Sequence, residues 1–410
     1  MASVSYPLNL FLFIIFSAHS TLQTRLSVGD TDALSAIKTT LRDLPGSDFL
    51  STWVFNSTSD PCSTFSGILC SDPTLGPSRV TSLSLGTGLE GSPGLLGSLS
   101  PAIANLTALT QLVVYPGRVS GPIPPQLGGL DQLRFLSITG NLVSGPIPAS
   151  LGGLANLHTL DLGQNNLQGP IPPELCELPQ LKVLVLASNR LSGWVPKFKN
   201  QEQLLHLDLQ KNCISGPLPP SLPPTLRYLS VSGNQMSGAL HALPPDLGYL
   251  DLSMNAFTGD IPLSAFRSST ALLQRNNFTG PLTDCADTVS VDGWTVDLSH
   301  NELSGDLPGF LAEAESLFMN NNQFTGAVPV EYVRNVYTGR MRTLYLQHNF
   351  MSGFPLPAGS PLPESASLCI SYNCMVPPVQ SSTCPASAGD LQYRPLYQCP
   401  VFNNITSIHL

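Results

Sequence analysis

A ten-residue phrase, Leu-x-Leu-x-x-Asn-x-(Leu/Val/Ile/Met/Phe)-x-Gly, recurs with its asparagine at positions 141, 165, 189, 212, 234, 255, 276, 301, 322 and 349. Successive asparagines are 21 to 27 residues apart, and Gly117 holds the equivalent place 24 residues before Asn141. A degenerate first copy lies near Leu83-Ser84-Leu85, and the phrase is loosened at Ala271-Leu272-Leu273 and Leu317-Phe318-Met319. Self-similarity at this period dictates stacking, because no single copy can enclose a core. About five apolar side chains per copy stabilise by roughly 1.5–3 kcal/mol each. Ordering about 24 residues costs roughly 1–2 kcal/mol apiece in the backbone. An isolated copy loses that comparison, so neighbours and closed ends must supply the difference.

Each copy reads as one turn of a coil. Alternating leucines such as Leu160 and Leu162 make a short strand with one face inward. Asn165 ends that strand, where its amide can satisfy buried backbone groups at the bend. Leu167 and Ile171 then return to the same core. Proline is expected on the outer side, where no continuous ladder should be needed. Parallel strands joined by right-handed connections stack into a right-handed α/β solenoid with a parallel sheet on its concave face. About eleven turns cover residues 80–357.

Composition agrees. The 410 residues include 67 leucines, and 42% apolar content is too high for a disordered chain. Thirty-eight prolines would break most helices of a bundle. A net charge of -9 with 18 Lys+Arg argues against nucleic acid as partner.

The ends point outside the cell. Leu8 to Phe16 is a run of nine, apolar except for Asn9, followed by Ser17-Ala18-His19-Ser20, so residues 1–20 read as a cleaved signal peptide. The run is too short to span a bilayer, and no other stretch approaches spanning length. Sequons at Asn56, Asn105, Asn277 and Asn404 permit glycosylation after export. Cys62 and Cys70 precede the repeats, whereas Cys369, Cys374, Cys384 and Cys399 follow them. Such clusters read as disulfide-stapled ends, with three pairings open for the last four. Cys176, Cys213 and Cys285 lie at unrelated points around the coil, so they are not expected to pair with one another. Cys176 stands where Gly128 and Gly152 do in their turns and reads as a buried space-filler; Cys213 should be exposed.

Gly145-Pro-Ile-Pro-Ala-Ser-Leu-Gly-Gly-Leu-Ala-Asn-Leu157 resembles, almost letter for letter, the repeat of plant extracellular leucine-rich-repeat proteins. The block holding Asp32-Ala-Leu34, Trp53, Pro61-Cys62 and Gly67-Ile-Leu-Cys70 is similar to that family's N-terminal cap, although Phe65 stands near the usual tryptophan position. The run Leu368 to Pro378 looks like its cysteine-paired C-terminal cap. The resemblance implies a cap over 21–79, repeats over 80–357 and a C-terminal cap and tail over 358–410. It also implies a curved horseshoe that binds protein, peptide or glycan ligands, as receptor ectodomains and polygalacturonase-inhibiting proteins do. No kinase signature follows.

Side chains two, four and six residues before each asparagine should point onto the concave face. The column six before includes His206, Tyr228 and Tyr249; the column four before includes Asp161, Asp208, Asp251 and Asp297. With strands about 4.8 Å apart, the three rings form a contiguous track beside Asp208 and Asp251. Exposed aromatics beside polar groups suit a binding hot spot. A second patch holds Phe318 and Tyr345, with Gln347 and His348. Chemistry is not expected. Gly86-Thr-Gly88-Leu-Glu-Gly91 lacks a following helix, the histidines lack metal-ligand spacing, and the aspartates line no walled cleft. The expected role is therefore a secreted or wall-associated recognition protein without enzymatic activity or cofactor. Its partner would be a protein or peptide, such as a membrane receptor kinase or, as an inhibitor, a secreted glycosidase.

Overall fold

The computed structural model describes residues 26–56, 59–72, 76–87, 93–199, 201–283, 293–356, 366–376, 384 and 394–400. The expected signal peptide, Cys285 and Asn404 lie outside them. The coil is built from two long sheets. One has fourteen strands and carries the Leu-x-Leu segments, running in parallel from Val80–Leu85 through Tyr228–Ser230 to Ser367–Cys369.

The second sheet departs from the sequence expectation. Twelve strands, from Leu41–Asp43 to Gln323–Phe324, lie beyond the asparagines where no ladder was expected. Its strands include Asn166–Pro170 and Asn277–Pro281, each ending on proline. Proline is tolerated because neighbouring strands share only two or three paired residues, so a missing N–H at the strand end breaks nothing.

The asparagines join the two sheets. Asn189 donates its amide N–H groups to the carbonyls of Leu162, Leu186 and Ala187, at 2.9, 3.1 and 3.2 Å. Its Oδ1 accepts the N–H of Leu167 at 3.0 Å, one turn back. Each amide thus ties its own turn to the previous one. Asn373, among the C-terminal cysteines, makes the same bonds with Met351, Leu346, Ile370 and Ser371. The residue before each asparagine must reverse the chain, and nine non-glycine residues do so with φ of 53–60°, Gln164, Met254 and His300 among them. Gly140 and Gly233 do it in their turns without the Cβ penalty.

Short 3₁₀ segments back several turns, including Pro125–Gly129, Ala149–Gly153 and Pro173–Glu177. A Cβ on Gly128 would lie 2.1 Å from the Ser150 carbonyl oxygen, and one on Gly152 would lie 2.3 Å from the Glu174 Cβ. Among the described residues the turn after Cys176 has no such segment, so a larger side chain fits there. Cys176 is buried, as expected, and burial pushes its thiol up to about 12. Cys213 is exposed.

The N-terminal end is covered, and the C-terminal end is stapled by disulfides. Helix Val28–Thr40 covers the first turns, and Leu41–Asp43 and Ile68–Cys70 each pair antiparallel with the first long strand of one sheet. Asp30, fully buried, accepts the Arg79 Nε at 3.0 Å and the Val80 N–H at 2.7 Å. Trp53 stacks on Phe65 at 5.6 Å and donates its indole N–H to the Ser66 carbonyl. Disulfides join Cys62 to Cys70, Cys369 to Cys384 and Cys374 to Cys399, choosing one of the three open C-terminal pairings. Near that end another helix, Val330–Tyr337, occupies the widest asparagine gap.

Candidate functional site: the concave sheet

Register places the columns as counted. His206, Tyr228 and Tyr249 are directly paired across consecutive parallel strands, with Val183 and Thr270 on either side. Their rings lie flat on one another. His206 and Tyr228 have centroids 4.0 Å apart at 5°, and Tyr228 and Tyr249 have centroids 4.5 Å apart at 3°. The inner faces are therefore covered, and the row offers outside partners its ring edges and polar tips.

Electrostatics keep those tips uncharged near neutral pH. Burial pushes the Tyr228 phenol up to about 12, helped by Asp208, Tyr249 and Asp251. Tyr249 is raised by burial and by the same two carboxylates. Burial lowers His206, and the attraction of Asp208 and Asp161 only partly opposes it. The row is thus two phenols and a neutral imidazole, able both to donate and to accept hydrogen bonds.

The aspartates sit deeper than the sequence suggested. Asp208 and Asp251 are each only 8% exposed, and Ser230 between them is 1% exposed. Each carboxylate accepts the N–H two residues on: Asp161 from Gly163, Asp208 from Gln210, Asp251 from Ser253 and Asp297 from Ser299, at 2.9–3.1 Å. Asp251 also accepts the Ser253 hydroxyl at 2.6 Å, and Asp208 the Gln210 side-chain amide at 3.0 Å. These carboxylates hold the strand ends in shape. The recurrent Asp-Leu-(Gly/Gln/Ser) at strand ends was the sequence signal for this role. Burial raises Asp161 and Asp297 despite those bonds.

Phe318 and Tyr345 form a separate patch, separated from the row by the strands Thr270–Leu272 and Thr295–Asp297. Their rings meet edge to face at 5.2 Å, and the Tyr345 and Ser367 hydroxyls are 2.9 Å apart. Gln347 is buried beneath, and His348 packs on Tyr372 at 4.8 Å. His300 is exposed at its turn and lies 3.4 Å from the Asn321 side-chain nitrogen. Asn56, Asn105 and Asn277 are exposed, and none lies on a concave strand. Among the described residues no group of three or more His, Cys, Asp or Glu is placed to hold a metal ion, and no helix is long and apolar enough to cross a membrane.

Comparison with known proteins bears on the whole coil. Residues 28–71 match the leucine-rich-repeat N-terminal domain, and residues 131–191 and 203–224 match leucine-rich repeats. No curated protein matches the sequence significantly. Among solved structures, the chain is similar to PEPR1 bound to AtPEP1, with 27% identity and TM-score 0.66 over 84% of this chain and 52% of that one. It is similar also to the ectodomain of the Arabidopsis thaliana receptor kinase GASSHO1/SCHENGEN3 in complex with CASPARIAN STRIP INTEGRITY FACTOR 2, with 28% identity and TM-score 0.61 over 84% and 47%. A plant ice-binding protein aligns with 27% identity and TM-score 0.57 over 82% of this chain and all of its own. The chain spans about half the length of the two receptor chains.

Proposed function

We propose, on the premise that this chain is a leucine-rich-repeat protein, that it acts outside the cell as a recognition protein and binds a peptide or protein segment on its concave face. The observation that carries this reading is the flat row of His206, Tyr228 and Tyr249 on three consecutive strands of that face. Rigid aromatic side chains with polar tips supply contact area at little entropic cost, which is why they recur at binding hot spots. PEPR1 was solved with AtPEP1, and the GASSHO1/SCHENGEN3 ectodomain in complex with CASPARIAN STRIP INTEGRITY FACTOR 2, which supports the same use of the coil here. Disulfides at both ends suit an oxidising compartment. Glycans at the exposed sequons would leave the concave sheet clear. The Phe318–Tyr345 patch is a second contact point on the same face.

An inhibitor of a basic-cleft glycosidase would need a presented acidic column. Asp208 and Asp251 are instead committed to their own strand ends, so the aromatic row is the better anchor.

A photo-crosslinking residue in place of Tyr249 should capture a defined extracellular partner, whereas the same group at exposed Gln126, on a 3₁₀ segment, should not. Tyr228→Ala with Tyr249→Ala should weaken that partner by about tenfold or more while the melting curve keeps its shape. Equal capture from both positions, or unchanged affinity of the double variant, would remove the site.

A further inference from the structure

The chain carries net charge -9, yet part of its small stock of cations is gathered on one rim of the concave sheet. Counting seven residues back from the turn asparagines gives Arg134, His158, Lys182, Leu205 and Arg227 on five successive turns. Their backbones are linked in single file. The N–H of His158 donates to the carbonyl of Arg134, Lys182 to His158, Leu205 to Lys182 and Arg227 to Leu205, at 2.8, 2.8, 2.9 and 2.8 Å. Each stands one residue before a member of the column Phe135, Thr159, Val183, His206 and Tyr228, so the rim runs alongside that column, whose last two members begin the aromatic row.

Arg227 is held by Asp246 at 3.0 Å. Arg134 and Lys182 are exposed, and neither takes part in an ion pair among the described residues. Apolar surface lies among these cations: Leu205 is 42% exposed and Phe135 37%.

We propose that this rim seats an acidic segment of an extended peptide, with carboxylates on Arg134 and Lys182 and apolar side chains against Phe135, Leu205 and the edge of the aromatic row. The proposal rests on the concave-face reading above and adds the ligand's chemistry to it. Arg134 and Lys182 are two strands apart, about 10 Å at the usual interstrand spacing. An extended peptide advances about 3.3 Å per residue, so carboxylates two or three residues apart reach both flexible cations. An acidic polysaccharide offers the same charge. It has no apolar side chains to cover Phe135 and Leu205, which is why a peptide fits better.

The test is selection of random twelve-residue peptides, displayed on phage, against the purified protein, R134E/K182E and Y228A/Y249A. All four substituted positions are at least partly exposed, and circular dichroism checks that each variant is folded. The unmodified protein should enrich Asp and Glu, and R134E/K182E should lose or reverse that preference. A synthetic peptide from the first pool should bind R134E/K182E about tenfold more weakly and lose affinity with added salt. No acidic enrichment, or the same enrichment on R134E/K182E, overturns the proposal. So does a short oligogalacturonate that binds through Arg134 and Lys182 when no peptide does. Peptides that need the two cations but ignore Tyr228 and Tyr249 sink the aromatic-row reading and keep the rim. Peptides that need the tyrosines and ignore the cations do the reverse.

Discussion

At the scale of single residues, the turn asparagine carries more structure than any leucine. Asn189 satisfies four backbone groups in two turns and is nearly buried. Its amide offsets the left-handed residue before it, Ser188, whose backbone costs roughly 1–2 kcal/mol. Asn189→Ala strands buried donors and acceptors together, and should lower the unfolding free energy in urea by about 3 kcal/mol. A leucine replaced on the same strand would lose only packing. Tyr228 makes a second prediction, from its phenol raised to about 12 by burial. Unfolded tyrosine ionises near 10, so between about 10 and 12 the folded chain holds a proton that the unfolded one has lost. The stabilisation is complete below pH 10 and disappears as pH rises to 12. Absorbance titration at 295 nm should show late-ionising tyrosines, and Tyr228→Phe should reduce that late amplitude by one phenol.

The columns at this scale were legible because counting back from an asparagine fixes which way a strand residue faces. What counting could not supply is depth. Asp208 and Tyr228 lie on adjacent strands of one face, yet the carboxylate bends back to its own backbone while the ring stands up. The cationic rim escaped notice because Arg134 and Lys182 are 48 residues apart in a chain poor in cations, and only stacking brings them into one file.

At the scale of elements, the first sheet could be read from the Leu-x-Leu alternation, and the second could not. Its strands are two to five residues long and rich in Ser, Gly and Pro, a composition that spells turn in any isolated window. Only the stacking of one turn on the next makes strands of them. Helix Val330–Tyr337 was hidden for a related reason, since a wide gap between asparagines says that extra residues exist without saying what they form. The N-terminal cap was legible by its cysteines and Trp53, but its fastening was not, because Asp30 and Arg79 are 49 residues apart. Asp30→Asn keeps the shape and removes the charge that holds the Arg79 guanidinium and the Val80 N–H. With Arg79 partly open to water, the loss should be about 2–3 kcal/mol, read as a lower urea midpoint.

For the whole molecule, stability is a sum over neighbours rather than the property of one centre. Deleting residues 142–165 removes one complete turn and rejoins equivalent positions. That shortened chain should still melt in one transition with an unchanged circular dichroism shape. Deleting residues 142–153 instead puts core leucines out of phase and should yield no folded protein, since half a turn cannot pair with either neighbour. Equal behaviour of the two deletions would refute additive stacking.

The antiparallel strands Leu41–Asp43 and Ile68–Cys70 have one further consequence. They pair with the first parallel strand of each sheet, and both precede those strands in the order of synthesis. The block that covers these edges is therefore made before the first rung that needs it. Without that block, the first rung would present bare hydrogen-bonding groups to any other nascent coil nearby, and molecules would join end to end before either was complete.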